Sequence, residues 1–455
     1  MRTFFVVVSR GLVSRNLLRT GIPQKVLEQA DTKLVLLFPK RSIPIPDYLY
    51  TEFADPRIVL EEIEEYSYSP FVSKIWMPLV NNFVYSESTD ILARDGSAKV
   101  RPVPSWWYPF HKRFFSVISK PDWLKKITRW LEEKVFSEKR YDALFKKYKP
   151  EALLVGSLLS KADIGILKAA KRHGAISFGM QKGWDNLERV LIRTLPDHLL
   201  VQNSIMVDAA REVQRIPKER AHVVGFPQFD PYFNYEPSES RESFLHRHGL
   251  KPDTKLFFFG SEGAWSPNDP ELVKYFIELR KELPFPSAFI IRPHFTDIKN
   301  KRFDAFRRHA GLIVDDNYRW AHYFSDLWDP SQEDMTHFMD ELYFCDAVLC
   351  IASTLSLDAA CFDKPIINLG FGAYIDDQGR DLSSNLYRMA HYKPVVASGG
   401  VSLVSSKEEL KKELIRSIEH PELKSDEREI LRRTMCGPLD GRSSERIANH
   451  LLSTR

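Results

Sequence analysis

The sequence predicts an α/β protein with two doubly wound parallel-sheet domains, and three observations carry the prediction. Short apolar runs of strand length alternate with amphipathic runs of helical length from residue 152 to residue 369. A polar stretch with prolines, at 234–254, interrupts this alternation. The length of 455 residues and the hydrophobic fraction of 43% suffice for two cores. We therefore expect an N-terminal domain over 1–235 and a C-terminal domain over 236–440, followed by a last helical segment at 441–455.

The first elements form a predicted β-α-β unit. An apolar strand over 4–8 is followed by a polar loop, a helix over 23–30 and a second apolar strand over 33–38. The stretch DPRIVLEEIEEY, at 55–66, predicts a short helix. An alternative interpretation of the N-terminus is a mitochondrial transit peptide, because four arginines precede the first acid at Glu28; we favour the strand.

Residues 67–150 break the alternation and predict a helical insert in the N-terminal domain. The insert contains the aromatic and basic run SWWYPFHKRFF and an amphipathic helix over 122–136. That helix has Trp123, Ile127 and Trp130 on one face and Lys125 and Arg129 on the other. It is typical either of a helix packed on a core, with its basic face in water, or of a helix lying on an anionic bilayer.

The remaining segments complete the two sheets. Strands are predicted in the N-terminal half at 152–155, 175–180, 197–201 and 222–224, with helices at 161–173 and 204–214. In the C-terminal half they are predicted at 255–259, 288–291, 311–314, 347–351 and 366–369, with helices at 240–248, 269–282, 303–309, 334–344, 356–361 and 407–418.

Polar residues follow several predicted strands of the C-terminal half, where open parallel sheets bind ligands. The loop Gly260, Ser261, Glu262 and Gly263 allows close backbone approach, although a plain flexible turn is an alternative. Arg292 and His294 suit a diphosphate, unless they form a surface turn around Pro293. Ser353 and Thr354 precede a helix and suit a phosphate, or serve as an ordinary N-cap.

The N-terminal half offers a second set of polar candidates. Arg15 and Asn16, together with Trp184 and Asn186, are candidate acceptor-binding residues. Asp185 is a candidate general base toward an acceptor hydroxyl, and its alternatives are a loop-capping role or acceptor binding.

Charge and cysteine content narrow the function classes. The net charge of +4 without a concentrated basic patch does not indicate a nucleic-acid partner. The four cysteines have no zinc-site spacing and fit buried reduced thiols in the cytoplasm. We expect no zinc site, and we expect the protein in the cytoplasm or peripherally on the inner face of a membrane.

Five stretches together resemble GT-B glycosyltransferases, in the group that includes nucleotide-sugar transferases of bacterial surface polysaccharides and CDP-glycerol glycerophosphotransferases. The stretches are GWDNL at 183–187, DHLLVQNSIMVDAAREVQRIPKERAHVVGFPQFD at 197–230, IIRPH at 290–294, CDAVLCIASTLSLDAACFDKPIINL at 345–369 and GPLDGRSSERIANHL at 437–451. The resemblance implies two facing Rossmann-like domains, a nucleotide diphosphate held mainly by the C-terminal one, no metal and no cofactor, and a last helix that crosses back to the N-terminal domain.

The resemblance also implies roles for individual residues. Arg292 and His294 match the basic strand-end motif, although Phe295 stands where the group commonly has Pro. Ser353 and Thr354 match the phosphate loop, and Asp358 takes the position where the group often has Glu for the ribose. His294 is also a candidate catalytic residue.

The expected function is sugar transfer from a nucleotide-activated donor to a surface-polysaccharide or lipid-linked acceptor. The alternatives are a CDP-glycerol-type polyol-phosphate transferase, a non-hydrolysing nucleotide-sugar epimerase and a catalytically silent nucleotide-sugar-binding scaffold.

Overall fold

The computed structural model describes residues 1–65, 68–136, 139–297 and 301–453. Tyr66 and Ser67, at the end of a predicted helix and the start of the predicted insert, lie outside the described residues, as do Thr454 and Arg455 of the predicted last helix. In the part that is described, the chain forms two parallel sheets covered by helices, which confirms the predicted α/β class.

The N-terminal sheet has seven parallel strands in the order β3-β2-β1-β4-β5-β6-β7. The strands are β1 Arg2–Val7, β2 Thr32–Pro39, β3 Ile58–Ile63, β4 Ala152–Val155, β5 Ile176–Met180, β6 His198–Val201 and β7 Ala221–Val223. The helices of this half are α1 Gly11–Leu18, α2 Ile22–Leu27, α3 Asp47–Glu52, α4 Met77–Asn81, α5 Glu87–Asp95, α6 Tyr108–Ile118, α7 Asp122–Lys134, α8 Asp142–Tyr148, α9 Lys161–His173 and α10 Ser204–Glu212.

The C-terminal sheet has six parallel strands in the order β10-β9-β8-β11-β12-β13. The strands are β8 Lys255–Gly260, β9 Ser287–Arg292, β10 Leu312–Val314, β11 Ala347–Cys350, β12 Ile366–Leu369 and β13 Ser402–Val404. The helices are α11 Arg241–Arg247, α12 Asp269–Glu282, α13 Gln332–Phe344, α14 Leu355–Cys361, α15 Lys393–Ala397, α16 Lys407–Glu419, α17 Ser425–Leu431 and α18 Ser443–Leu452.

Both sheets share one topology, with the first strand in the middle and the order reversing beside it. This reversal lies between β1 and β4 in one sheet and between β8 and β11 in the other. Central strands such as β8 are apolar because helices cover both faces; Phe257, Phe258 and Phe259 have no exposed surface. α18, the last helix, packs against α2 of the N-terminal half. The predicted boundary at 235 falls between β7 and β8 and stays a prediction.

Three predicted elements were wrong. Residues 55–66 were expected to be helical, but β3 occupies Ile58–Ile63 and pairs along its whole length with β2. Pairing with a sheet edge overrides the helical preference of its glutamates. The expected loop after β1 contains α1, and of the helix expected over 303–309 only the short turn Asp304–Phe306 forms.

Helix α7 is turned over relative to the expected packed helix. Lys125, Arg129 and Glu132 are buried, whereas Trp123 and Trp130 are exposed. The buried cations are satisfied by backbone carbonyls: Lys125 Nζ donates to Val213 O at 2.6 Å, and Arg129 donates to Ile192 O at 2.9 Å.

A segment of the C-terminal half reaches across to the N-terminal half. We call residues 315–331, which connect β10 to α13, the strap. The Asp326 carboxylate accepts from the Gly11 and Leu12 amides at 2.9 and 3.0 Å, at the start of α1. Asp329, fully buried, pairs with Arg19 at 2.5 Å.

Candidate functional site

The C-terminal ends of β9, β8 and β11 lie side by side. Gly260 is in register with Arg292 on one side and with Cys350 on the other, so the three predicted strand-end loops meet at one sheet edge. This edge contains the point where the strand order reverses, and α/β proteins bind ligands at such points. The equivalent edge of the N-terminal sheet carries Lys182 and Asp185. We call the region where these two edges face each other the crevice; it contains Lys182, Asp185, Glu262 and His294, whose charges influence one another directly or through Lys99.

The two hydroxyls before α14 have different partners. Ser353 Oγ accepts from the Leu355 amide at 3.1 Å, which is the local bond expected of a helix start. Thr354 Oγ1 makes no capping bond; it accepts from Trp184 Nε1 at 3.1 Å, across the two halves of the chain. A predicted donor-site residue and a predicted acceptor-site residue are therefore in direct contact.

Glu262 is the most strongly perturbed carboxyl of the crevice. Burial raises its pKa to about 7, with Asp269 and Asp185 adding to the rise, while a hydrogen bond from Ser353 and the charge of Lys99 oppose it. A carboxyl with a pKa near neutrality suits proton transfer at physiological pH. The sequence indicated Glu262 only as a donor contact.

The neighbouring His294 is a neutral hydrogen-bond donor. Burial lowers its pKa to about 3, and the charges of Lys99 and Arg302 act in the same direction. The Thr296 amide donates to Nδ1 at 3.2 Å, so in the neutral ring the proton resides on Nε2. Gly263 has a φ of +60°, and a Cβ there would lie 2.8 Å from His294 Nδ1. Glycine is therefore needed for the imidazole to sit against this loop.

Ser261 belongs to the interior. Its hydroxyl lies 2.6 Å from Asp269 and 2.8 Å from Asp297, and it also accepts from the Gly263 amide at 3.1 Å. Burial raises the pKa of Asp269 to about 7. This network shapes the loop that carries Glu262. Gly260 permits the close approach of Leu355, whose Cδ2 would lie 2.4 Å from a Cβ.

Arg292 is held by acids. Its guanidinium contacts Asp315 and lies 2.9 Å from the fully buried Glu341. His337 Nε2 lies 3.2 Å from Asp315, so Asp315, His337 and Glu341 form, among the described residues, a group with metal-ligating atoms within 4.8 Å of one another. The guanidinium already contacts both carboxylates of that group. The predicted diphosphate role of Arg292 stays a prediction.

Asp185 and Asn186 stabilise the loop after β5. Burial favours the neutral form of Asp185, but Arg189, at 3.0 Å, and His391 outweigh it, so its pKa lies below the usual value. A depressed pKa makes Asp185 a weaker base than Glu262. Asn186 donates to Gly183 O at 3.1 Å within the same turn.

Arg15 and Asp358 meet from opposite halves of the chain. Burial lowers the pKa of Arg15, while the charge of Asp358 opposes this. Burial raises the pKa of Asp358 to about 6, and Tyr232 donates to its Oδ1 at 2.7 Å. The Arg15 guanidinium lies over the Trp328 ring, 5.3 Å from its centre. Asn16 is buried and accepts from Arg15 Nε at 2.9 Å.

Sequence reasoning missed a group of crevice cations. Burial lowers the pKa of Lys182, and the charges of Arg10 and Lys99 lower it further. Burial also lowers the pKa of Lys99, against the charges of Glu262 and Asp297. Across the described ranges, no salt bridge to a carboxylate forms at Arg10, Arg15, Lys99 or Lys182. Like charges gathered this way favour an anionic ligand.

No family model matches the chain, and no curated protein matches it. Solved structures do. A UDP-GlcNAc 2-epimerase from Neisseria meningitidis bound to UDP-GlcNAc aligns with a TM-score of 0.55 at 12% identity, over 99% of this chain and 100% of that one. A glycosyltransferase from Rickettsia africae gives 0.52 at 11% identity, over 100% and 99%. The wall teichoic acid polymerase TagF with CDPG gives 0.53 at 12% identity, over 99% and 88%. These similarities, which span the whole chain, show that it has the GT-B fold, as the resemblance implied.

Proposed function

We propose that this protein transfers a sugar from a nucleotide-activated donor to a glycan or lipid-linked acceptor, with the donor diphosphate bound in the crevice. One observation carries the proposal: Arg10, Lys99 and Lys182, brought from distant parts of the chain, gather without carboxylate partners among the described residues at the edges where both sheets reverse their order. Anionic, nucleotide-like ligands bind at such edges.

The chemistry assigns a role to each group. The acceptor hydroxyl attacks the anomeric carbon of the sugar, and the bond from that carbon to the diphosphate oxygen breaks. Glu262, with a pKa of about 7, accepts the hydroxyl proton. The departing diphosphate takes up the bonding electron pair, and its charge is stabilised by Lys99, Lys182 and the Nε2–H of His294. We expect these side chains to stabilise the diphosphate charge without a metal ion or cofactor.

The location follows from the acceptor class. We place the protein in the cytoplasm or on the inner face of a membrane, where a nucleotide-activated donor and a lipid-linked acceptor meet. None of the helices in the described ranges has the length and apolarity needed to cross a bilayer.

A ligand panel followed by a product assay tests the proposal. Nucleotide diphosphates and nucleotide sugars are first screened by thermal shift, where a ligand at ~100 Kd adds about 2.7 kcal/mol to the free energy of unfolding. The binding donor is then incubated with acceptors. Release of UDP, GDP or CDP supports sugar transfer, and EDTA should leave that release unchanged.

The other outcomes contradict sugar transfer in distinguishable ways. Release of CMP indicates a polyol-phosphate transferase, and conversion of the nucleotide sugar without an acceptor indicates an epimerase. Tight donor binding without turnover across the acceptor panel indicates a scaffold. Loss of turnover in EDTA contradicts charge neutralisation by the side chains alone.

A further inference from the structure

The insert presents its apolar residues to solvent. On α7, Trp123 is 61% exposed and Trp130 57% exposed, whereas Glu132 on the opposite face is completely buried. A surface helix of a globular protein normally has the reverse arrangement. This orientation of α7 is stable only because hydrogen bonds and an ion pair satisfy the side chains of its buried polar face.

Those bonds fix the helix in place. Arg129 donates to Gln214 O at 2.8 Å, Glu132 pairs with Arg193 at 2.5 Å, and Lys125 donates to a carbonyl. Turning α7 over would bury Trp123 and Trp130 but would break all of these contacts. The outward aromatic face is therefore a built feature of the fold.

Two neighbouring segments extend the same face. Helix α6 has no buried residue, and Trp106, just before it, is 80% exposed. Ile118 of α6, Leu124 of α7 and Trp76 pack on one small core, so the segments that carry them are neighbours. We call these outward residues the aromatic surface: Phe71, Ile75, Leu79, Trp106, Trp107, Phe110, Phe114, Val117, Trp123, Ile127 and Trp130.

We infer that the aromatic surface docks on an anionic lipid bilayer. Trp and Phe with neighbouring cations are the residues that anchor proteins at the bilayer interface. Exposed cations lie on the same segments: Lys74, Arg113, Lys120, Lys126 and Lys134. Among the described residues of 68–136, the exposed acids are Glu87 and Asp122, and they are paired with Lys393 and Arg215. The charge is thus complementary to anionic headgroups and would repel a second copy.

The position of the aromatic surface suits a lipid-linked acceptor. This part of the inference rests on the proposed function. Trp106 is seven residues after Lys99, so the two lie at most ~25 Å apart along the chain. A bilayer under the aromatic surface therefore brings a lipid headgroup close to the crevice. The donor is water-soluble and can enter from another side.

Vesicle sedimentation with the full chain tests the inference. The probes are vesicles of phosphatidylcholine and vesicles with 30% phosphatidylglycerol. The chain should bind the anionic vesicles at least tenfold more strongly, and Trp106→Ser/Trp123→Ser/Trp130→Ser should lose at least tenfold of that binding. Lys120→Glu/Lys126→Glu should lose the preference for anionic lipid. The control Ile43→Ser/Ile430→Ser changes exposed apolar residues outside the insert and should bind as the parent does.

Three results would overturn the inference. The parent fails to bind anionic vesicles, or the triple Trp variant binds as tightly as the parent, or the parent is a dimer without lipid that the triple variant converts to a monomer. Nucleotide thermal shifts, measured in parallel, show that the triple variant is folded. They also separate the two proposals, because a failure of vesicle binding with normal nucleotide shifts leaves the donor site standing.

Discussion

At the scale of single residues, the crevice explains why two hydroxyls follow β11. Ser353 forms the local bond that starts α14, and Thr354 joins the two halves of the chain through Trp184. The sequence indicated both residues, yet it could not separate them, because the partner of Thr354 is 170 positions away.

His294→Ala should weaken binding of the nucleotide that gives the largest thermal shift by about tenfold. The loss of one net hydrogen bond of about 1.5 kcal/mol to a charged group corresponds to this factor. Titration calorimetry measures the affinity, and His309→Ala, on an exposed surface of the same half, is the matched control. An unchanged affinity in a folded His294→Ala protein would place the donor elsewhere.

Arg292→Met should destabilise the protein by about 3–5 kcal/mol, because it removes the guanidinium that contacts both of the buried carboxyls Asp315 and Glu341. Urea denaturation measures the loss, and the exposed Arg416→Met should lose less than about 1 kcal/mol. The opposite pattern, normal stability with weak nucleotide binding, would support the diphosphate role predicted from the sequence.

At the scale of elements, strands buried on both faces were the most predictable. The observed bounds match the predicted ones for the strands β4 and β12 and for the helices α9 and α12. A short, fully apolar run fits a parallel sheet only as a strand that helices cover on both faces. The strand β3 and the buried face of helix α7 were not predictable in this way, although the helix over 122–136 itself was predicted. β3 lies at an edge and is only half-buried, and α7 depends on carbonyls of residues far along the chain.

The packing of α18 gives a dependence on pH. Burial lowers the pKa of His450 to about 4, and the nearby His222 and His198 add to this effect. Between pH 6.5 and about 4 the unfolded chain therefore binds a proton that the folded chain does not, so stability falls as the pH decreases through this window.

His450 should therefore lower the thermal midpoint as the pH is lowered from 7 to 5, whereas the raised pKa values of Glu262 and Asp269 act in the opposite direction over the same window. Relative to the parent, His450→Gln should become more stable as the pH is lowered through this window, since the other titrating groups contribute equally to both proteins. The exposed His420→Gln is the control and should follow the parent. Equal slopes for His450→Gln and the parent would contradict the role of α18 in this pH dependence.

At the scale of the whole molecule, the order of the strands determines which residues of the site can be found from the sequence. The loops after β8, β9 and β11 were found because each follows an apolar strand. Lys182 follows β5 by two residues and carried the same signal, but Arg10 lies beside an unpredicted helix and Lys99 lies in the insert. Only the folded chain brings these three cations together.

The strap should contribute strongly to the stability of the whole chain. Arg19→Met leaves Asp329 buried without its main cation, and a loss of about 3–5 kcal/mol is expected in urea denaturation. Arg19→Met/Asp329→Leu, which removes both charges, should recover most of it. A double variant as unstable as the single one would show that the ion pair itself, rather than the stranded charge, holds the strap.

The strap also bears on how the proposed nucleotide ligand would bind. Asp326 and Asp329 hold the two halves of the chain together without any ligand. Ligand binding therefore does not have to bring the two halves together first. Preorganisation of this kind reduces the entropic cost of binding. In an enzyme whose domains close around a hinge, closure would affect the heat-capacity change and the kinetics of ligand binding. Here we expect nucleotide binding to occur in a single fast step.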